Sequence, residues 1–292
     1  EDIPGTALAE GLTWDWESFP DYLEALGRRR YTMDLAAHMP HAALRCFVMG
    51  ERGADHQEVP TEDEISRMAN LTFEALQAGA IGFSTSRTYV HRSRDGRNIG
   101  TLTASEQELL GIASALKRAG KGVIQLISDA YLTADDAFAA DELNLIRNLA
   151  RSTGRGLSFT VQQTDEAPDR WRHIFGEIEA MTAEGLDVKA QVAPRPVGAI
   201  LSFSSTSNPF FATPTYRSML TLPLLARLQR LADPAVKQTI LAEHAAYDMQ
   251  GLAALLTKGW SRMFRMTDPV DYEPKAEASL AAEAARAGRE AA

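Results

Sequence analysis

Residues 61–84, TEDEISRMANLTFEALQAGAIGFS, form the unit from which the fold is predicted. Thr61 and Glu64 have the spacing of a capping box, and apolar residues follow at helical intervals until Gly79, where a helix would end. The apolar run at 80–84 then predicts a strand. The stretch is therefore expected to be one helix followed by one strand.

The same alternation continues along the chain. Further helices are predicted to begin at Thr103 or Ser105, at Thr133 and at Pro168. Strands are predicted after them, at 123–127, 157–161 and 188–193. An earlier strand is expected over ALRCFVM at 43–49, in which Cys46 would be a small buried side chain.

A (β/α) barrel is the fold that this alternation favours. Single helices between successive strands, with about 30 to 40 residues per unit, are typical of parallel βαβ units. No GxGxxG follows a predicted strand, which argues against a dinucleotide-binding sheet. We therefore predict an α/β fold, a (β/α)8 TIM barrel present as a partial barrel of about five βα units. An open doubly wound sheet is the alternative.

The alternation stops after Pro196. Residues 202–217, SFSSTSNPFFATPTYR, form a polar and aromatic loop that could instead be a protein-docking surface. Helices are predicted near 222–232, over 234–257 with an interruption, and after the linker 268–274. We predict a partial barrel over 1–198. The aromatic loop, a helical insertion and a final helix of the same domain would occupy 199–292.

Composition excludes several classes of partner. The net charge of −9, without a Lys/Arg cluster, disfavours nucleic acid and anionic membrane surfaces. No apolar run reaches the 18 or so residues of a membrane span. A single cysteine cannot form an internal disulfide, and we expect a cytoplasmic location. The chain starts without methionine and stops in a helix-forming run, so we expect a longer polypeptide.

Candidate site residues lie where the predicted strands end, because the reactive groups of such barrels occupy that face. Four follow one another from the last residue of the strand at 80–84: Ser84, Thr85, Ser86 and Arg87. They offer hydroxyl groups and a guanidinium that suits a carboxylate, although the hydroxyls could simply satisfy backbone groups at the strand end. Arg195 is another candidate, unless it pairs with a local acid.

Other signatures of catalysis are weak or missing. His38 and His41 are not expected to share a metal, because positions i and i+3 of a strand face opposite sides. The sequence contains no Ser-His-Asp order, CxxC, HExxH or phosphate loop. No residue can therefore be assigned a catalytic role from a motif.

Three stretches resemble a known family: 1–26, 40–45 (PHAALR) and 78–91 (AGAIGFSTSRTYVH). They are similar to the N-acyl-D-amino-acid deacylases, D-aminoacylase-like members of the amidohydrolase superfamily. The resemblance extends loosely over nearly the whole chain. It implies a (β/α)8 barrel of amidohydrolase type with a small β-sandwich. It also implies amide hydrolysis by a water held on zinc, with an aspartate as general base.

The resemblance also implies roles for residues of this chain. The run Ser84 to Arg87 would face the cleft, with His41 and Arg45 close by, and would bind a small anionic acyl amino acid. The family's paired histidines and its catalytic aspartate would lie outside residues 1–292. Its other ligand histidines would fall near 125–129 and 161–163, where this sequence has glutamines, which are poor zinc ligands.

We therefore expect zinc in the full-length protein and no metal ligands in this chain. The full-length protein is predicted to hydrolyse an amide, either of an N-acyl amino acid or a related C–N bond, and the fragment alone is predicted to be inactive. The alternative is a metal-free barrel homologue that binds a small molecule. Self-association through unpaired edge strands is a further expectation.

Overall fold

Two compact units make up the chain in the computed structural model, Glu1–Pro194 and Arg195–Ala292. The structure describes residues 5–93, 97–164, 167–194, 197–205, 208–247 and 256–291, with side chains from residue 8 onward. Within these ranges no helix combines the length and apolar character needed to cross a bilayer. The units are described separately below.

A parallel sheet forms the centre of the first unit. Its strands are β1 (His38–Pro40), β2 (Gly82–Arg87), β3 (Val123–Ser128), β4 (Leu157–Thr160) and β5 (Val188–Gln191). They lie in the order β1-β2-β3-β4-β5, and each neighbouring pair is parallel. A doubly wound sheet reverses its strand order, whereas a barrel keeps it sequential. The order therefore matches the predicted partial (β/α) barrel and not the open-sheet alternative.

Several helices of the first unit begin and end at the predicted signals. They are α1 (Gly5–Gly11), α2 (Phe19–Gly27), α3 (His41–Met49), α4 (Glu62–Ala78), α5 (Glu106–Ala119), α6 (Asp136–Thr153) and α7 (Arg170–Ala183). The predicted capping box begins α4, and Ser105 caps α5. Helix α5 ends at Gly120, whose φ of 65° is left-handed and favours glycine. The cap of α6 is Asp135 rather than the expected Thr133, and α7 begins at Arg170 rather than at the predicted Pro168.

Helices of the first unit cover one face of the sheet, and the side chains of the other face, called the open face below, are partly exposed. In β3, Ile124 and Leu126 are fully buried. Val123, the first residue of the strand, is 42% exposed. Phe83 of β2 and Phe159 of β4 join the same apolar cluster as the helices. Because strand side chains alternate between faces, Ser84 and Ser86 point away from the helices. This alternation decides which predicted site residues can reach a cleft.

The strand predicted at 43–49 is wrong, because these residues belong to helix α3. The buried residues of α3 recur at helical spacing: His41, Leu44, Arg45, Val48 and Met49. The strand is the short segment His38–Pro40, which ends as the helix begins. An apolar run is compatible with either element, and here its period is that of a helix. For the same reason Cys46 is exposed rather than buried.

The second unit is mainly helical in its described part. Its helices are α8 (Pro214–Arg217), α9 (Leu224–Leu231), α10 (Pro234–Ala246) and α11 (Leu280–Arg286). The core joins Tyr216, Met219 and Ile240, and the rings of Phe203 and Phe210 stack 6.4 Å apart against it. Aromatic residues of the 202–217 loop therefore pack inward. The rings of Phe203 and Phe210 are only partly buried in this packing, and the docking surface stays a prediction.

Candidate functional site

Strand β2 holds the four consecutive candidate residues and divides them between two faces. Thr85 faces the helices, where its Oγ1 lies 2.8 Å from Nδ1 of His41. Arg87 also faces the helices and contacts α6. Ser84 and Ser86 lie on the open face and are partly exposed. Two of the four residues, Thr85 and Arg87, therefore contact the helices, and the other two lie on the face where a cleft is expected.

Helix α3 is joined to helix α5 by a buried ionic network. Nε2 of His41 lies 2.9 Å from Oε1 of Glu108, and Nη1 of Arg45 donates to both oxygens of that carboxylate, at 2.6 and 2.7 Å. The other nitrogens of Arg45 donate to the carbonyls of Gly53, Asp55 and Glu58. His41, Arg45 and Glu108 are each 1% exposed. In this structure they hold two helices together, and His41 and Arg45, which were expected close to the cleft, are buried in this network.

Burial and pairing shift the two titratable groups of this network. Burial lowers the pKa of His41, and the carboxylate of Glu108 only partly counteracts that effect. Burial alone would raise the pKa of Glu108, but hydrogen bonds and charge from His41 and Arg45 outweigh it and lower that pKa. Glu108 is therefore the ionised partner that Arg45 requires.

Arg87 is bound by a carboxylate of the chain itself. Its Nη2 donates to Oε1 of Glu142 at 2.5 Å, and its Nε donates to Oε2 at 3.0 Å. Ser128, at the end of β3, donates to the same Oε2 at 2.7 Å. The remaining Nη1 of Arg87 donates to the carbonyl of Ala104. The guanidinium expected to bind a substrate carboxylate is thus occupied within the protein.

On the open face, Ser86 meets a histidine from the following loop. Oγ of Ser86 lies 2.7 Å from Nδ1 of His91, and both residues are partly exposed. The loop is held in place because the Thr101 hydroxyl donates to the carbonyl of Ser86 at 2.6 Å. A hydroxyl and an imidazole therefore meet at the carboxyl end of β2.

Asp129 follows β3 directly and brings a carboxyl group to the same end of the sheet. It is 6% exposed, its Oδ2 accepts a hydrogen bond from the amide of Tyr89 at 2.8 Å, and its Oδ1 has no partner among the described residues. Burial is the largest effect and raises the pKa of Asp129, and the negative charge of Glu142 raises it further. Hydrogen bonds from Thr88 and Tyr89 and the charge of His91 lower this pKa, but the net shift is upward. A carboxyl perturbed in this way is a frequent feature of functional sites.

Tyr131 lies beside this carboxyl. Burial, with the nearby Asp129 and Tyr89, raises the pKa of Tyr131 to about 12. The phenol is therefore protonated at neutral pH, and it can donate a hydrogen bond but cannot supply a negative charge.

The described residues do not fit the expected zinc centre. Within the described ranges no group of three or more His, Cys, Asp or Glu side chains is placed to hold a metal ion. The alternation of β3 and β4 places Gln125, Ile127, Ser158 and Thr160 on the open face. The side-chain amide of Gln125 lies 3.5 Å from that of Gln191 on β5. Such groups bind zinc weakly beside imidazole or thiolate.

The structure brings together only part of what the sequence predicts. His41 meets Thr85, and Ser84 lies near Ser86 on one strand, whereas Arg45 and Arg87 pair with glutamates that sequence reasoning missed. Arg195 lies outside the described residues. One sequence feature could have indicated that Glu108 and Glu142 are buried. Each lies next to an apolar residue on the buried face of its helix. An unpartnered glutamate there would be costly.

Two cavities of about 340 Å³ each are found elsewhere in the first unit. One is lined by residues that include His56, Thr103 and Glu108. The other is more apolar and is lined by residues that include Trp16, Tyr22 and Phe47. Neither is lined by Ser86, His91 or Asp129.

Comparison with known proteins gives one family match and matches to curated enzymes. The sequence profile described as "Amidohydrolase family" matches residues 5–291. The chain is 37% identical over 91 residues to a D-aminoacylase of Alcaligenes xylosoxydans xylosoxydans, a match of 31% of this chain and 18% of that enzyme. It is also 37% identical over 91 residues to the N-acyl-D-glutamate deacylase of that organism, over 30% of this chain and 18% of that one.

A solved structure of D-aminoacylase is 26% identical to the chain. The alignment covers 61% of this chain and 34% of that enzyme, with a TM-score of 0.49. Another structure of D-aminoacylase is described as having a binuclear metal centre. The chain matches less than a fifth of the length of the two curated enzymes.

Proposed function

We propose a function from the premise that this chain belongs to the amidohydrolase family, whose profile matches residues 5–291. The full-length protein hydrolyses an amide or related C–N bond of a small molecule. The family match over nearly the whole chain carries this proposal. The two curated relatives, a D-aminoacylase and an N-acyl-D-glutamate deacylase, support an N-acyl amino acid as the substrate class.

The open face at the carboxyl end of β2 is the proposed substrate wall. Ser84 and Ser86 would contact the substrate there, because the cleft of a (β/α) barrel lies at this end of its strands. Thr85 and Arg87 would hold β2 in position without contacting the substrate, since their contacts with His41 and Glu142 anchor this strand to the helices. Arg87 is not assigned to anion recognition, because Glu142 already pairs with its guanidinium. Arg195, which lies outside the described residues, remains a predicted anion-binding residue.

Hydrolysis of N-acetyl amino acids by the full-length protein tests the proposal. We expect release of free amino acid from at least one member of a panel of N-acetyl-D- and N-acetyl-L-amino acids. Arg87→Lys should lower kcat/KM, because a lysine cannot keep the paired hydrogen bonds to Glu142 that hold the strand. Glu179→Ala, a change of an exposed residue on α7, is the matched control. No hydrolysis of any panel member by well-folded protein would contradict the proposal.

A metal-free binder is the second candidate. It is favoured by one observation, that the described part of the chain offers no group of metal ligands. Elemental analysis of the full-length protein separates the two candidates. Binding of an N-acetyl amino acid without turnover and without bound zinc would favour the binder, whereas turnover with bound zinc would favour the family's metal chemistry. A cytoplasmic location and self-association through β1 and β5 remain predictions.

A further inference from the structure

The more apolar cavity of the first unit has walls of aromatic rings. It measures about 340 Å³, and its lining includes Trp16, Phe19, Tyr22 and Phe47. The rings of Trp16 and Tyr22 lie 5.4 Å apart and are inclined by 58°, and those of Phe19 and Tyr22 lie 5.7 Å apart and are inclined by 59°. Rings inclined in this way form a corner rather than a flat stack. A cavity of this size with apolar and aromatic walls is typical of a small-molecule site.

The lining of this cavity carries negative charge. Its described residues include two glutamates, Glu17 before α2 and Glu74 of α4, and no lysine or arginine. His38 also lines it, and burial lowers the pKa of this imidazole, although a hydrogen bond with the backbone of Phe83 partly counteracts that effect. His38 is therefore uncharged at neutral pH, and the two carboxylates determine the charge of the cavity.

Local structure holds the aromatic walls in place. The rings lie around the start of α2, where a capping box fixes the chain. In that box Oγ of Ser18 accepts from the amide of Asp21 at 3.2 Å, and Oδ2 of Asp21 accepts from the amide of Ser18 at 3.0 Å. The carboxylate of Asp21 also offsets the positive end of α2. A site ordered in advance loses less conformational entropy when a ligand binds.

We propose that this cavity binds a small organic cation with a fully alkylated ammonium group. The faces of aromatic rings attract such a cation, and tryptophan attracts it most strongly. Glu17 and Glu74 complement its charge, whereas a neutral apolar ligand would remove water from these carboxylates without replacing the lost interactions. An alkylated ammonium group has no N–H donor, so it needs no hydrogen-bond acceptor from the apolar part of the lining.

This binding function is additional to the proposed hydrolysis. The described residues that line the cavity come from α2, β1, α3, α4 and the segments next to them, and they do not include Ser84 or Ser86 of the proposed substrate wall. The cation is therefore a second ligand and not the amide substrate.

Titration calorimetry of the full-length protein with choline and with 3,3-dimethylbutan-1-ol tests the inference. The two probes have the same shape, and the neutral alcohol has a carbon atom in place of the charged nitrogen. We expect choline to bind at least about fivefold more tightly, because only the cation gains from the ring faces and the carboxylates. Equal affinity for the two probes, or no binding of choline, overturns the inference.

Two variants separate the contributions of the rings and the carboxylates. Trp16→Leu keeps an apolar side chain but removes a ring face, so it should weaken choline binding about fivefold and change the affinity for the alcohol by less than about twofold. Glu74→Gln should weaken the binding of choline about threefold and should not weaken that of the alcohol. Because Glu74 is exposed, this second variant keeps the test valid if Trp16→Leu does not fold.

Glu62→Gln is the matched control, since it makes the same change at an exposed position of α4 that does not line the cavity. It should bind choline with wild-type affinity. Wild-type affinity for choline in both Trp16→Leu and Glu74→Gln overturns the inference. An equal loss of affinity for the two probes in Glu74→Gln overturns it as well, because the carboxylate would then act on the shape of the cavity and not on the charge of the ligand.

Discussion

The two units of the chain build their cores in different ways. In the first unit one large apolar cluster includes residues from Met39 to Val188, and the buried Arg45 and the partly buried Arg87 each pair with a glutamate. In the second unit a few rings around Tyr216 form a small core, and its one buried histidine, His244, is in contact with Phe210. Because the large core of the first unit is apolar, each polar residue buried in it is a candidate for function. The small irregular core of the second unit does not provide this contrast.

Breaking the largest buried pair should have the strongest effect on the first unit. Glu108→Ala leaves His41 and Arg45 buried without a carboxylate, so we expect a loss of about 4 kcal/mol in the free energy of unfolding. Urea denaturation followed by circular dichroism measures it. Glu179→Ala, on the exposed face of α7, should change the midpoint little. A loss below about 1 kcal/mol for Glu108→Ala would show that the network is not structural.

Removing the central ring of the second unit should have the next largest effect. Tyr216→Ala deletes a fully buried side chain, for which we expect a loss of about 3 kcal/mol. Hydrogen exchange should show lost protection in α9 and α10 and unchanged protection in β2 to β4. Loss of protection in those strands as well would mean that the two cores are not independent.

The carboxyl of Asp129 should make the stability of the first unit depend on pH. Its folded pKa lies above the ordinary aspartate value of 3.8, so between the two values the folded state binds more protons than the unfolded state. The free energy of unfolding therefore falls as pH rises through that window. Asp129→Asn should lack this component, so its stability relative to wild type should increase with pH above 3.8. Parallel pH curves for the two proteins would contradict this expectation.

The smallest effect is expected for an exposed ion pair of the second unit. Nε of Arg265 lies 2.9 Å from Oε2 of Glu283, and the side chain of Arg265 is 72% exposed. Arg265→Ala should cost about 0.5 kcal/mol or less, because water and salt screen such pairs. Thermal melts in low and high salt check this. A larger loss in the free energy of unfolding would show that solvent exposure does not determine how much an ion pair stabilises this protein.

Local patterns predicted the elements well where their ends carried chemical signals. The capping box of α4, the serine cap of α5 and the glycine after it all form as predicted. The segment 43–49 had no such boundary within it, and its apolar run was taken for a strand. The buried residues of α3 recur at helical spacing, so the period of the apolar residues predicts this element better than its composition does.

The candidate site was only partly predictable. The sequence placed Ser86 at a strand end, but the partnership with His91 depends on how the loop after β2 turns back. Nothing local indicated that one oxygen of Asp129 would be buried without a partner among the described residues. Both features arise from contacts between neighbouring strand ends.

The sequence by itself determined most of the helices and strands of the first unit, because caps, glycines and apolar periods are properties of adjacent residues. The family was indicated by the resemblance of three stretches to known proteins. Only the tertiary structure decided which charge each buried group meets. Arg45 pairs with a glutamate 63 positions away, and Arg87 with one 55 positions away. No local pattern encodes such distant pairs, because their partners are selected by the packing of helices against the sheet.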